Sequence, residues 1–456
     1  MKKNRFSFFL KALIILSPLP FGCVSGMWAP LCFLLFALFS FFALCAPGDE
    51  IKLLFKKQIR WLAFAFYFVL LIQIVPLPLF LLKILSPATV RVLETVGGGV
   101  PAFHSISLIP AESLLGFARY LVYGLFFFSL LRLKWEKDDI FSIFQAVVFS
   151  AAFQVLFGLF KYAQGNKNFF LFFLPDTHNL KFLRGTIYNP DHFAFYLELA
   201  LPVAVGLLFA RMLIFDPSQS LSEKILTVVE DKKIIILFLA AVVMAGGIYL
   251  TGCRSGIVVL VLSALVFAQM SVYLRLPFSA KKNLRVIFVF ATLFAVFVGL
   301  QNTINKFLSS GYIEGGRVWY WGNTLAMFRD FPLFGTGLGT YKYAYFLYGK
   351  EKTKWVTHAH NDYLENLSTM GLLGGLLMLA VVLVLFLSLL RMWNGRRHPE
   401  IKPVVLGVLV AMFAAAFHSF FDFSLRIPAN AFLLILLVAL GIRLVTHKRD
   451  FSDGQK

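Results

Sequence analysis

The chain has 456 residues, 59% of them hydrophobic and only 14% charged, whereas a soluble domain carries roughly 25% charged residues. This inventory excludes a disordered chain, a disulfide-stapled miniature and a collagen-like repeat, and it matches about twelve apolar spans of ~20 residues each. The formal net charge of +20 would suit a nucleic-acid binder, but membrane topology also demands basic loops, so the placement of the charges decides.

From the N-terminus, a basic head precedes an apolar run at 7–24. A cleaved signal peptide is the alternative to weigh. The lack of a small-x-small site and the second run starting at Met27 favour an uncleaved first span. Further runs lie near 27–45, 61–81, 113–131, 140–160, 192–210, 234–251, 255–274, 286–303, 366–390, 403–421 and 428–445. Cys23, Cys32, Cys45 and Cys253 are scattered among these runs and predict no disulfide framework.

With the N-terminus placed in the cytoplasm, Lys52, Lys56, Lys57 and Arg60, then Arg275, Lys281, Lys282 and Arg285, then Arg391, Arg396 and Arg397 all fall on short inside loops. The basic excess is therefore the signature of membrane orientation, with both termini inside, and nucleic acid is not expected as a partner. Three long connections, 82–112, 161–191 and 304–365, fall on the outer face, where function is to be sought. In the longest, Val318, Trp321, Leu325 and Phe328 share one face of a helix that Phe331-Pro332 stops, which reads as a helix lying in the membrane interface. On the inside, Ser220 and Glu223 form a capping box that predicts a short surface helix. No internal repeat is visible. The expectation is an all-α polytopic membrane protein, one membrane domain over 1–456, with about twelve transmembrane helices and long extracytoplasmic loops.

The densest polar cluster outside the cytoplasm is Thr357-His358-Ala359-His360-Asn361-Asp362-Tyr363-Leu364-Glu365. The two histidines could form a metal pair, but no third ligand is near and their spacing is not i, i+4. They could also be solvated residues before a helix capped by Asn361 or Asp362. The sharper reading is a catalytic base, because neutral imidazole accepts a proton from a sugar hydroxyl near pH 7.

Arg184, Arg254 and Arg317 face the same side. Arg254 lies in a turn of a few residues between two spans, where an unpaired charge is costly and a membrane-embedded phosphate suits a planar five-donor cation. Snorkelling to headgroups is the plainer alternative for each. Phe334-Gly335-Thr336-Gly337-Leu338-Gly339-Thr340 lacks the Lys-Ser/Thr of a P-loop and reads as a tight turn that presents backbone amides at most. Asn189-Pro190-Asp191-His192 opens the sixth span, and Glu198 lies within it as a buried carboxylate. No Asp-x-Asp lies on an outer loop, which weakens any metal-dependent sugar transfer, and no cofactor is expected.

These segments, in this order, resemble the O-antigen ligase superfamily, which also includes O-antigen polymerases and protein O-oligosaccharyltransferases. The ligase pattern of His-Asn, nine residues, Gly, two residues, Gly is met by His360-Asn361, Gly371 and Gly374. Arg317-Val318-Trp319, 331–339 and 189–194 fit the upstream run, so the resemblance covers about 184–390. It implies a C-type glycosyltransferase fold and an undecaprenyl-diphosphate-linked glycan as donor, with no metal. It singles out His360, Arg254 and Arg317; Arg184 joins them as a donor contact, with Asn361, His358, Asn189 and His192 in support. The acceptor would be a lipid A core sugar, a second lipid-linked glycan or a protein. Cys253 and Asp191 depart from the family's usual Ser and Asn. A lipid-linked sugar transporter would also have about twelve spans, but the halves show no repeat.

Overall fold

A computed structural model describes residues 5–24, 26–49, 56–96, 99–165, 182–212, 230–274, 317–349 and 356–447. Its helices in chain order are α1 (Arg5–Leu16), α2 (Trp28–Cys45), α3 (Lys56–Ile72), α4 (Leu79–Leu85), α5 (Pro87–Val96), α6 (Pro110–Arg132), α7 (Lys137–Ala163), α8 (Pro190–Met212), α9 (Lys232–Leu250), α10 (Arg254–Met270), α11 (Arg317–Asp330), α12 (Tyr341–Ala344), α13 (Asp362–Gly395), α14 (Ile401–His418) and α15 (Pro428–Val445). The only β-structure among the described residues besides an isolated bridge is a two-residue antiparallel ladder, β1 (Leu77–Pro78) with β2 (Phe103–His104).

Nine of the helices among the described residues are long and apolar enough to cross a membrane, so the chain is an all-α polytopic membrane protein. Of the other expected spans, 286–303 lies outside the described residues, as does the capping-box helix at Ser220. The run at 7–24 is not one helix. It stops at Leu16 and continues as turns and a 3-10 turn at Phe21–Cys23, because Pro18 and Pro20 lack the N–H a helix needs. The run at 61–81 likewise ends as a helix at Ile72, ahead of Pro76 and Pro78. The expected connection at 82–112 is not bare loop, since it holds most of α4, all of α5 and β2.

α8 is the hub, with nearly all of its side chains buried against α7, α9, α14 and α15. It meets α14 at two reciprocal points. A side chain at Gly206 would come within 2.6 Å of the Pro403 carbonyl oxygen, and one at Gly407 within 2.4 Å of the Pro202 oxygen. Small residues let helix backbones touch where lipid provides no hydrophobic drive for association. The outer surface is apolar in turn. Trp61, Phe64 and Phe68 on α3 and Leu376, Leu379 and Leu383 on α13 are exposed, as lipid-facing side chains should be.

α13 is broken once, at Gly371, whose φ of 67° and ψ of −176° are not helical. A break inside a membrane must have its backbone groups satisfied from elsewhere. The segment after α11 does this: the amides of Leu372 and Leu373 donate to the carbonyls of Pro332 and Leu333, and those of Thr336 and Gly337 donate to Ser368 and Thr369. Buried Gln73 completes the repair. Its Nε2 donates to the Phe334 and Thr369 carbonyls, and its Oε1 accepts from the Leu338 amide. The glycine-rich stretch is therefore the turn expected, with amides at Thr336 and Gly337 consumed by α13. A side chain at Gly371 would sit 2.2 Å from the Leu333 oxygen, which is why position 371 takes glycine.

Candidate functional site

The starts of α8, α10 and α13 and the ends of α9 and α14 meet at one end of the bundle. There the connection between α14 and α15, residues 419–427, brings Asp422, Phe423 and Arg426 in among the histidines. Phe423 is the pivot: His358 stacks on it with centroids 4.0 Å apart, while His192 and His360 meet it edge-on at 4.7 and 4.9 Å.

Asp422 is fully buried. His360 Nδ1 is 3.1 Å from its Oδ1, His192 Nε2 is 3.3 Å from its Oδ2, and the Ser424 hydroxyl donates to Oδ2 at 2.8 Å. Burial alone would raise this carboxyl, but the adjacent His192, the bond from His360 and the nearby His418 outweigh it and hold it well below the usual carboxylate range. An ionised carboxylate only accepts. His360 must therefore carry its proton on Nδ1, which leaves Nε2 as the basic nitrogen. The His360 backbone has φ of +50°, a left-handed conformation that costs a non-glycine residue roughly 1–3 kcal/mol and persists where surrounding structure enforces it. The enforcement is visible: the Asp362 amide donates to the Ser419 carbonyl, and Asn361 caps α13 by accepting from the Leu364 amide at 3.0 Å. Tyr320 of α11 lies over the His360 ring, and Trp321 donates to the Ala359 carbonyl at 3.0 Å.

His358 belongs to a second cluster. Its Nδ1 is 3.0 Å from Glu365 Oε1, and the other Glu365 oxygen accepts from the Ala359 amide at 2.9 Å. Arg426 completes it, with Nε 2.8 Å from Glu365 and 3.7 Å from Asp362, and with Nη2 donating to Asn366 at 2.9 Å.

The residues singled out from sequence divide as follows. His360, His192 and, through the adjacent Asp191, Arg317 form one contact chain, because Arg317 Nη2 lies 3.3 Å from Asp191 Oδ2. Arg254 is the first residue of α10. Cys253 caps that helix by accepting from the Gly256 amide, and a side chain at Gly256 would touch Ala194 and Glu198 of α8. Asn189 is structural, accepting from the Asp191 amide at 2.8 Å. Arg184 lies apart from this chain of contacts: it is 2% exposed, with its guanidinium over the Tyr188 ring, in a loop that packs on α7 and α9. The α11 helix stops just before Phe331-Pro332, as expected, but Thr324 and Met327 are its buried residues while Val318 and Leu325 are exposed.

Asp422 and Arg426 were not singled out from sequence, nor was Glu198 paired with His418, its partner at 2.9 Å in the core. A signal existed. His418, Asp422 and Arg426 recur every four residues where two apolar spans are only a few residues apart, so charge there must be enclosed, by the same logic as for Arg254. No group of three or more metal-ligating side chains occurs among the described residues.

This geometry defines a polytopic membrane protein with a buried carboxylate–imidazole site at one end of its bundle. Residues 239–379 match the family model for O-antigen ligase, so this part of the chain is similar to O-antigen ligases. The match contains Arg254, Arg317, His358, His360 and Asn361, and it stops short of Asp422. No individual curated protein matches the chain.

Proposed function

We propose that this protein is a metal-independent, inverting O-antigen ligase that transfers a glycan from an undecaprenyl-diphosphate donor to a sugar hydroxyl of the lipid A core. It works at the periplasmic face of the bacterial inner membrane, with both termini cytoplasmic. The observation that carries the reading is the His360–Asp422 contact beside the Asp191–Arg317 pair, within and next to the O-antigen ligase domain. Asp422 fixes the His360 tautomer. Nε2 takes the proton of the acceptor hydroxyl as its oxygen bonds to the anomeric carbon from the face opposite the leaving group. The bond from that carbon to the diphosphate breaks in the same step, and Arg254 and Arg317 neutralise the departing lipid diphosphate. Arg184 supports that charge from behind, inside the loop that leads to α8.

The test is reconstitution of the purified chain with lipid-linked glycan and one acceptor at a time: core lipid A, excess donor or an acceptor protein. Glycan on core lipid A is expected. A ladder of longer lipid-linked glycans would assign polymerisation instead, and modified protein would assign O-oligosaccharyl transfer. No product with any acceptor would overturn the reading. Reporter fusions after Lys57 and Arg397 should report the cytoplasm and one after Gly349 the opposite side.

A further inference from the structure

The end of the bundle farthest from His360 carries a cavity of about 350 Å³ between the starts of α7, α9 and α14 and the end of α8. Arg211 on its rim is nineteen residues beyond His192 on α8, a rise of about 30 Å, so this is not part of the site described above. Three cations and two acids line it: Lys137, Arg211 and Lys233 against Asp138 and Glu400. Lys137 Nζ and Glu400 Oε2 already neutralise each other at 2.7 Å and tie α7 to α14. Nearby Asp231 is occupied as the cap of α9, accepting from the Lys233 amide at 2.9 Å. Arg211 and Lys233 are left facing the hollow with one acid, Asp138, and make no ion pair among the described residues.

The other wall is apolar, built by Phe141, Leu207 and Leu237. From there the surface of α9 continues outward through Ile236, Phe238 and Leu239, all more than half exposed. A soluble anion would use the cations and gain nothing from that wall. An amphiphile with a phosphate at one end and acyl chains at the other uses both, and basic hollows between membrane helices suit such headgroups.

We propose that this cavity binds the headgroup of an anionic phospholipid from the adjoining leaflet. Arg211 and Lys233 pair with its phosphate, Arg211 through its planar fork, and the glycerol end lies along Leu207, Phe141 and Leu237. The bound lipid ties the far end of α8, the helix that carries Asp191 and His192, to α9. The inference does not rest on the proposed activity.

The experiment uses the full chain in nanodiscs of phosphatidylcholine with or without phosphatidylglycerol, and reads retained lipid by native mass spectrometry after detergent exchange. Wild type should retain phosphatidylglycerol about tenfold over phosphatidylcholine, a difference of about 1.4 kcal/mol. R211Q/K233Q should lose that preference. Lys233→Gln alone, at an exposed position that does not put folding at risk, should lose part of it. Lys232→Gln, an exposed neighbour outside the cavity, should keep it. Unchanged preference in Lys233→Gln and in folded R211Q/K233Q would overturn the proposal, as would equal loss in Lys232→Gln. Displacement of the lipid by millimolar inorganic phosphate would assign a soluble-anion site instead and also overturn it.

Discussion

Two clusters of the same composition, an imidazole on a buried carboxylate, stand on either side of Phe423, and they are built for different work. Around Glu365 the carboxylate meets Arg426, a backbone amide and His358, so its charge is already matched by a permanent cation. Around Asp422 the matching groups are two imidazoles and a hydroxyl, which can change charge or move. The first arrangement holds the 356–361 segment in place. The second leaves a histidine whose outer nitrogen can take a proton while its inner one stays anchored. A carboxylate beside histidine does not by itself mark chemistry. What else faces the carboxylate decides.

The comparison breaks most sharply at His360. His360→Ala should lower transfer by about 10²- to 10⁴-fold, the usual cost of removing a positioned general base, with membrane insertion and folding retained. Asp422→Asn should fall in the lower part of that range, because an amide can be satisfied by the wrong tautomer. His358→Ala should cost only a few-fold. Equal loss in the two histidine variants would mean that the clusters act as one unit.

Asp422 also carries a pH dependence. Its folded-state carboxyl is depressed, so its contribution to stability is present above the unfolded value of about 4 and is lost as pH falls through the folded one. The stability gap between wild type and Asp422→Asn should therefore be open above about pH 4 and close below it. A gap that widens on acidification would contradict the assignment.

Arg426→Met tests the holding cluster. It leaves Glu365 and Asp362 enclosed without their cation, and breaking such a buried pair costs about 3–5 kcal/mol. The expected result is a lower unfolding temperature and a lower yield in membranes, with activity lost in proportion to folded protein. Full stability with lost transfer would move Arg426 into the reacting site.

Much of this was legible in the sequence, for identifiable reasons. Apolar runs long enough to span a membrane gave most helices within a few residues, α15 to the residue, because lipid forces backbone bonds to be made within each helix. The failures at 7–24 and 61–81 came from counting hydrophobicity across Pro18, Pro20, Pro76 and Pro78. Of the site, His360, His192, Arg254 and Arg317 were readable as polar residues where an apolar chain should have none. Asp422 was hidden because its neighbours Phe420, Phe421 and Phe423 extend the apolar run around it. Its meaning depends on a contact sixty-two residues away in sequence, which no local pattern encodes. Helix geometry does not separate His358 from His360, since both precede Asp362, where α13 begins. Their different carboxylate partners separate them.

The cations offer a smaller effect. Arg254→Lys and Arg317→Lys keep the charge but lose the bidentate fork that suits a diphosphate oxygen pair. The loss should be about tenfold in transfer, about 1.4 kcal/mol, at the low end of the roughly 1.5–3 kcal/mol of a hydrogen bond to a charged group because the charge itself is kept. Chelator should leave wild-type transfer unchanged, because the proposed neutralisation is by arginine. Activity lost in EDTA and restored by a divalent ion would return the histidines to a metal role.

The smallest expected effect is the most specific to this chain. Asp191 stands where the resemblance leads one to expect asparagine, and it lies 3.3 Å from Arg317 with both side chains partly exposed. A carboxylate there competes with a diphosphate for the same guanidinium and repels it. The competition is modest, since an exposed pair is worth about 0.2–1 kcal/mol after solvent screening. Asp191→Asn should therefore lower the KM for the lipid-linked donor by about two- to five-fold and leave kcat nearly unchanged, because the arginine is released without altering His360. The gain should shrink in high salt, where the wild-type pair is itself screened. A raised KM would mean that Asp191 orients Arg317 toward the donor, and a fall in kcat at unchanged KM would move Asp191 into the chemistry of the His192–Asp422–His360 chain.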